Sequence, residues 1–132
     1  MPEETQKHKI LLVEDDLFMV ELLGNELRNA GFEVDVAGTG SEALPKFRQF
    51  KPDLVLLDIL LPDINGFDVL RQMRREPDGP EVKAIFLSNL GETKDIEEAK
   101  RIGALDYFVK ANFSLSEIAD KIKAVFVQKP AS

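Results

Sequence analysis

Five short apolar runs, alternating with stretches of helical spacing, constrain this chain more than any other feature of its sequence. The runs are Ile10–Val13, Phe32–Ala37, Leu54–Leu57, Val82–Leu87 and Tyr107–Val109. Four of the five carry no polar alternation, which is how strands covered on both faces of a parallel sheet read. Met19, Leu22, Leu23 and Leu27 mark the first helix, which ends near Gly31, a residue suited to the position just past a helix C-terminus. The spacing predicts further helices over 41–50, 67–75, 95–102 (closed by Gly103) and 114–127. In the last, Ser114 is the N-cap, Glu117 completes a capping box, and Pro130 follows the end. Strand–helix alternation repeated five times implies an α/β fold, a doubly wound parallel sheet with helices on both sides. Two residues conflict locally with this reading. Gly24 in mid-helix costs about 1 kcal/mol relative to alanine. Pro45 falls just beyond the first turn of the second helix, so that helix is expected to start late or to kink.

A chain of 132 residues fits one domain and buries enough surface to need no covalent staple. The domain is expected over 9–128, with residues 1–8 a disordered tail and 129–132 a C-terminal tail or the start of a linker. The absence of cysteine excludes disulfides, thiolate metal sites and thiol catalysis, and a single histidine, His8, excludes a His-rich metal site. A net charge of −7 argues against a dedicated nucleic-acid surface. No apolar run reaches the roughly 18 residues of a membrane span, and the N-terminus lacks the apolar core of a signal peptide, so a cytoplasmic location is expected.

In an open α/β sheet, ligands bind outside the carboxyl ends of the strands. Glu14, Asp15 and Asp16 lie past the first run, Asp58 past the third, Ser88 and Asn89 at the end of the fourth, and Lys110 past the fifth. Each has an ordinary reading by itself: acids favour helix starts, a lone Asp after a strand is often a cap, and a lone lysine is usually a surface residue. Together they place carboxylates, a hydroxyl and one ammonium on a single rim. Clustered carboxylates repel and raise one another's pKa, so such a cluster is expected where a cation restores the balance. An all-oxygen donor set with few carboxylates and no calcium loop points to Mg²⁺. Lys110 then supplies a point charge for a phosphoryl oxygen or for Asp58, and Ser88 a hydrogen bond to the same group.

The segments Leu12-Val-Glu-Asp-Asp16, Asp53-Leu-Val-Leu-Leu-Asp-Ile-Leu-Leu-Pro62 with Gly66, Ile85-Phe-Leu-Ser88 and Gly103-Ala-Leu-Asp-Tyr-Phe-Val-Lys110 occur in this order. With them the chain resembles the receiver domain of two-component response regulators, from about Lys9 to Val127. The resemblance implies a flavodoxin-like five-stranded sheet in the order 2-1-3-4-5, flanked by five helices. It implies that Asp58 accepts a phosphoryl group from a histidine kinase or phosphotransfer protein. Asp15 matches the direct metal ligand, Glu14 the acid that holds metal-bound water, and the backbone carbonyl of Leu60 the third protein ligand. Lys110 matches the lysine that pairs with the phosphoryl group, Ser88 the switch hydroxyl and Tyr107 the aromatic that changes rotamer with it. A downstream effector protein or domain is then expected to read the face of the fourth helix, fifth strand and fifth helix. From its residue type alone, Tyr107 reads equally well as core packing, and Asp16 reads as a helix-start acid.

Two departures from the family pattern stand out. Ala111 follows Lys110 where a cis-proline is usual, so that bond is either cis and strained or trans with a rearranged loop. Leu60 and Leu90, two residues past Asp58 and Ser88, are apolar where polar side chains would guide a hydrolytic water. Three other functions fit less well. An aspartyl-phosphate enzyme would place its nucleophile after the first strand with a second Asp two residues on, and the chain has Glu14-Asp15-Asp16 there. A flavin or nucleotide carrier would need a glycine- or hydroxyl-rich phosphate loop, and neither GxxxxGK[ST] nor GxGxxG occurs. An interaction module that no longer takes phosphate would not need to keep Glu14, Asp15, Asp58, Ser88 and Lys110.

Overall fold

Residues 7–127 are described by a computed structural model of the protein. Five strands, β1 (Lys9–Val13), β2 (Glu33–Ala37), β3 (Leu54–Leu57), β4 (Lys83–Ser88) and β5 (Asp106–Val109), form one sheet in the order β2-β1-β3-β4-β5. Every pairing is parallel. Five helices connect or follow the strands: α1 (Leu17–Asn29), α2 (Gly40–Phe50), α3 (Gly66–Arg74), α4 (Thr93–Arg101) and α5 (Leu115–Phe126).

Alternate side chains along a strand point to opposite faces, and here both faces are covered. Leu11, Val13, Val55, Leu57, Ala84 and Phe86 pack with Ala43 and Phe47 of α2, Val69, Leu70 and Met73 of α3, and Ala99 of α4. Ile10, Leu12, Leu54, Leu56, Ile85, Leu87 and Phe108 pack with Leu23 and Leu27 of α1 and with Ile118, Ala119 and Ile122 of α5. The unbroken apolar runs at β1, β3 and β4 are the trace of this two-sided burial. Exposed positions remain only at the first residues of β2, β4 and β5, namely Glu33, Lys83 and Asp106.

The helix ends follow the predicted chemistry. Asp16 caps α1, accepting from the N–H groups of Phe18 (3.0 Å) and Met19 (3.4 Å). The capping box of α5 is formed in both directions, Glu117 N–H to Ser114 Oγ at 3.1 Å and Ser114 N–H to Glu117 Oε1 at 2.8 Å. Gly31 (φ 100°) and Gly103 (φ 86°) take left-handed backbone beyond α1 and α4, where a side chain would be strained. Helix α1 runs unbroken through Gly24. The late start expected of α2 is not seen: Thr39 Oγ1 caps Glu42 N–H at 3.1 Å, and the helix begins at Gly40 with Pro45 inside it. Pro45 is exposed, as is Ser41, whose carbonyl it deprives of a donor at a position open to solvent.

At the N-terminal ends of β1 and β2, His8 stacks on Phe126 with ring centroids 4.0 Å apart, and its carbonyl accepts Glu33 N–H at 3.0 Å. The rest of the expected N-terminal tail through residue 6, Pro130 and the expected C-terminal tail lie outside the described residues. No helix among the described residues is long and apolar enough to cross a membrane.

Candidate functional site

Sheet register places the site. Val13 pairs with Leu57 across β1 and β3, so Glu14 and Asp58 leave adjacent strands side by side. Their backbones are fixed by Glu14 N–H to Ala37 O and Asp58 N–H to Val13 O, both 3.0 Å. Ser88 pairs with Val109 at the ends of β4 and β5, which puts Lys110 one residue past the same rim.

Glu14 is 2% exposed and Asp58 7%. The Lys110 ammonium joins them, with Nζ 2.7 Å from Glu14 Oε1 and 2.9 Å from Asp58 Oδ2. The remaining oxygens are held by main-chain N–H groups. Glu14 Oε2 accepts from Asp16 at 3.1 Å, and Asp58 Oδ1 accepts from Ile59 at 2.7 Å and Leu60 at 3.3 Å. Burial raises the Glu14 carboxyl above the usual carboxylate range, against the opposing pull of Lys110 and the Asp16 N–H. Burial works the other way on Lys110, but its hydrogen bonds to Glu14 and Asp58 outweigh that effect and keep it a cation. Two carboxylates and one ammonium leave the cluster one positive charge short, with exposed Asp15 adding a further negative charge beside it.

One carboxylate oxygen from each of Glu14, Asp15 and Asp58 lies within 4.8 Å of the others. Among the described residues, no protein donor reaches the carbonyl of Leu60. The donor set is oxygen only and open on the Asp15 side, which fits a hard divalent cation that keeps several waters. This cluster brings together Glu14, Asp15 and Asp58, three of the four groups expected from the sequence to hold a metal.

Ser88 is fully buried, and its Oγ accepts the N–H of Leu90 at 3.3 Å. The Tyr107 hydroxyl donates to the carbonyl of the same residue. Its ring packs on Phe86, centroids 6.2 Å apart, and burial, with help from the Asp95 charge, pushes the phenol up to about 12. Leu90 is therefore gripped at its N–H by one candidate switch residue and at its carbonyl by the other. Sequence reading noticed Leu90 only for its apolar side chain. Lys110–Ala111 is a trans bond, and residues Lys110–Asn112 form a single 3₁₀ turn. Of the two bond geometries considered, trans is the one found, and Lys110 reaches both acids.

Two further residues shape the site. The N–H of Gly66 donates to Ile59 O at 2.8 Å, and a Cβ at Gly66 would lie 2.0 Å from the carbonyl oxygen of Asp58. Only glycine lets the start of α3 approach Asp58 this closely. Its place in a motif was visible in the sequence, but its reason was not. Asp63, which no sequence pattern singled out, accepts from Gly40 N–H (2.8 Å), Ser41 N–H (2.9 Å), Ile64 N–H (2.8 Å) and the Ser41 hydroxyl. The Ser41 hydroxyl first, and the three N–H groups with it, hold its carboxyl down to about 2.

Comparison with known proteins gives a consistent picture. A model of the response regulator receiver domain family matches residues 10–123. The DNA-binding response regulator MtrA of Mycolicibacterium smegmatis is 38% identical over 121 residues, covering 92% of this chain and 51% of that protein. The chain spans about half the length of the curated relatives it matches. Among solved structures, the chemotaxis response regulator CheY4 of Vibrio cholerae is similar at TM-score 0.84 and 25% identity, covering 92% of this chain and all of that one. The phosphorylated cyanobacterial phytochrome response regulator RcpA is similar at TM-score 0.77 and 29% identity, with 91% of each chain covered.

The contact at Gly66 predicts that Gly66→Ala destabilises the protein by about 2 kcal/mol or more, since the methyl group meets backbone that cannot yield without moving Asp58. Urea unfolding measures this, and a loss below about 0.5 kcal/mol contradicts so tight an approach.

Proposed function

The chain belongs to the response regulator receiver domain family, signalling proteins of two-component systems, and from that premise we propose that Asp58 is its phosphoacceptor. The observation that carries this reading is the Lys110 ammonium, held between Asp58 and Glu14 at 2.9 and 2.7 Å. A carboxylate that attacks a phosphoryl group brings two anions together, and Lys110 supplies positive charge where that negative charge gathers.

Glu14, Asp15, Asp58 and the Leu60 carbonyl are the residues that would hold Mg²⁺. When bound, the ion neutralises charge on the phosphoryl oxygens. The chain's own groups do the rest. Transfer forms a bond from an Asp58 carboxylate oxygen to phosphorus and breaks the phosphorus–nitrogen bond of a phosphohistidine donor on a histidine kinase or phosphotransfer protein. Lys110 is placed to turn from Asp58 Oδ2 to a phosphoryl oxygen without leaving Glu14. Turning the Ser88 hydroxyl toward the same group would draw its Oγ away from the Leu90 N–H, from which it now accepts. Tyr107, bonded to the Leu90 carbonyl, would feel that release. The domain in this reading promotes its own phosphorylation and dephosphorylation and turns over no other substrate.

The Leu90 segment leads directly into α4, which buries only Ala99 and has no side-chain N-cap at Glu92. A helix so lightly held responds to small changes at its start, which supports the α4–β5–α5 face as the surface read by an effector protein or domain. The net charge of −7 supports a domain that acts through protein partners rather than on nucleic acid directly. A cytoplasmic location fits this role.

Incubation with a small phosphodonor and Mg²⁺ is expected to add a single phosphoryl group per chain, seen by intact mass and abolished by chelation or by Asp58→Ala. Continued turnover of the donor without stoichiometric labelling would favour an enzyme instead. The second expected outcome concerns lifetime. Leu60 stands exposed two residues past Asp58, and Leu90, two residues past Ser88, packs against the core. Neither offers a polar atom to guide water, so the double variant Leu60→Asn, Leu90→Glu should lose its phosphoryl group faster than the parent. An unchanged rate counts against shielding.

A further inference from the structure

We propose that Asp63 is a positioning residue for this site: by clamping the β3–α3 loop to the first turn of α2, it sets the place of the Leu60 carbonyl and so the affinity for Mg²⁺. The inference rests on the functional reading above and extends it to a residue outside the site.

Each side chain of the site sits at the end of a strand or next to it and inherits its place from the sheet. Leu60 differs. It contributes a backbone oxygen, so no rotamer fixes it, and it lies on the irregular segment 59–65. Its own side chain is 59% exposed and anchors little. The loop must be held from elsewhere, and two clamps do so. One is the bond from Gly66 N–H to Ile59 O at 2.8 Å, which closes the loop on itself. The other is the Asp63 carboxylate, which reaches 22 and 23 residues back to α2.

Both carboxylate oxygens of Asp63 are used. Oδ1 takes Gly40 N–H and Ile64 N–H, each at 2.8 Å, and Oδ2 takes Ser41 N–H at 2.9 Å together with the Ser41 hydroxyl. The two α2 donors are first-turn amides that have no partner within the helix, and the positive end of the helix favours the negative charge. Gly40 makes the approach possible, since a Cβ there would lie 2.8 Å from Ile64 Cβ and 3.2 Å from Asp63 Oδ1. Capping alone does not account for the arrangement, because α2 already has a local cap in Thr39. Beyond that cap, Asp63 adds a tie between the loop and a rigid neighbour. Its carboxyl, held down to about 2, stays charged at any physiological pH.

The test measures Mg²⁺ affinity by titration calorimetry on the whole chain, with amide chemical shifts of residues 59–61 recorded alongside, at a temperature where every variant is folded. Asp63→Ala is expected to weaken Mg²⁺ binding roughly 10-fold, the usual scale for residues that orient a metal ligand, and to shift those amides before metal is added. Asp63→Asn, which keeps an oxygen acceptor, should recover most of the affinity. Thr39→Ala removes the local cap of the same helix without touching the loop, and should leave affinity unchanged. Wild-type affinity in Asp63→Ala, or an equal loss in Thr39→Ala, overturns the proposal while leaving the site's function intact. No Mg²⁺ binding by the wild-type chain overturns both.

Discussion

One ammonium group holds two buried carboxylates together at the rim of this sheet, and the rest of the structure is arranged around that contact. Removing a carboxylate from water costs several kcal/mol, and two side by side add mutual repulsion. Lys110 offsets part of this through hydrogen bonds to both, and main-chain N–H groups of Asp16, Ile59 and Leu60 satisfy the other oxygens. The balance still leaves an excess of negative charge, greater once exposed Asp15 is counted. A divalent cation completes such a site at little structural cost.

The fold makes this crowding possible without freedom of movement. Parallel strands deliver Glu14 and Asp58 side by side because their registers are locked by a core packed on both faces. Where the sheet ends, glycines and caps take over. Gly66 lets α3 press against the carbonyl of Asp58, and Asp63 pins the intervening loop to α2. On the far side of the site the restraint is deliberately slight by comparison: Leu90 is held by two hydrogen bonds, and α4 by a single fully buried residue. A rigidly held acidic cluster beside a lightly held helix is a physical basis for a switch, since small changes of charge act on the part that moves most easily.

Much of this was legible in the residues. Strand and helix periods gave the alternation of elements, and Ser114, Glu117, Gly31 and Gly103 marked helix ends that the structure bears out. Glu14, Asp15, Asp58, Ser88 and Lys110 could be placed on one rim because strand ends define it. The strand order came from family resemblance and is the one observed. What escaped the sequence was cross-element contact. The α2 partners of Asp63 are more than twenty residues away, and the clash behind Gly66 involves a backbone oxygen, which leaves no mark on residue type. The late start that Pro45 suggested is not seen because propensity describes an isolated helix, whereas α2 is held by Phe47 and Ala43 in the core and by two caps at its start. Ala111 raised two alternatives that only the backbone decides, and the trans bond leaves the reach of Lys110 intact.

The central claim is that Asp58, with the acids beside it, is built to take a tetrahedral anion in partnership with a divalent ion. Fluorine NMR with beryllium fluoride, a mimic of the phosphoryl group, tests it directly. The account predicts protein-bound fluoride resonances that appear only with Mg²⁺ present and are absent in Asp58→Ala. A wild-type chain that shows no bound resonance in Mg²⁺, or one whose signal persists after chelation, contradicts it.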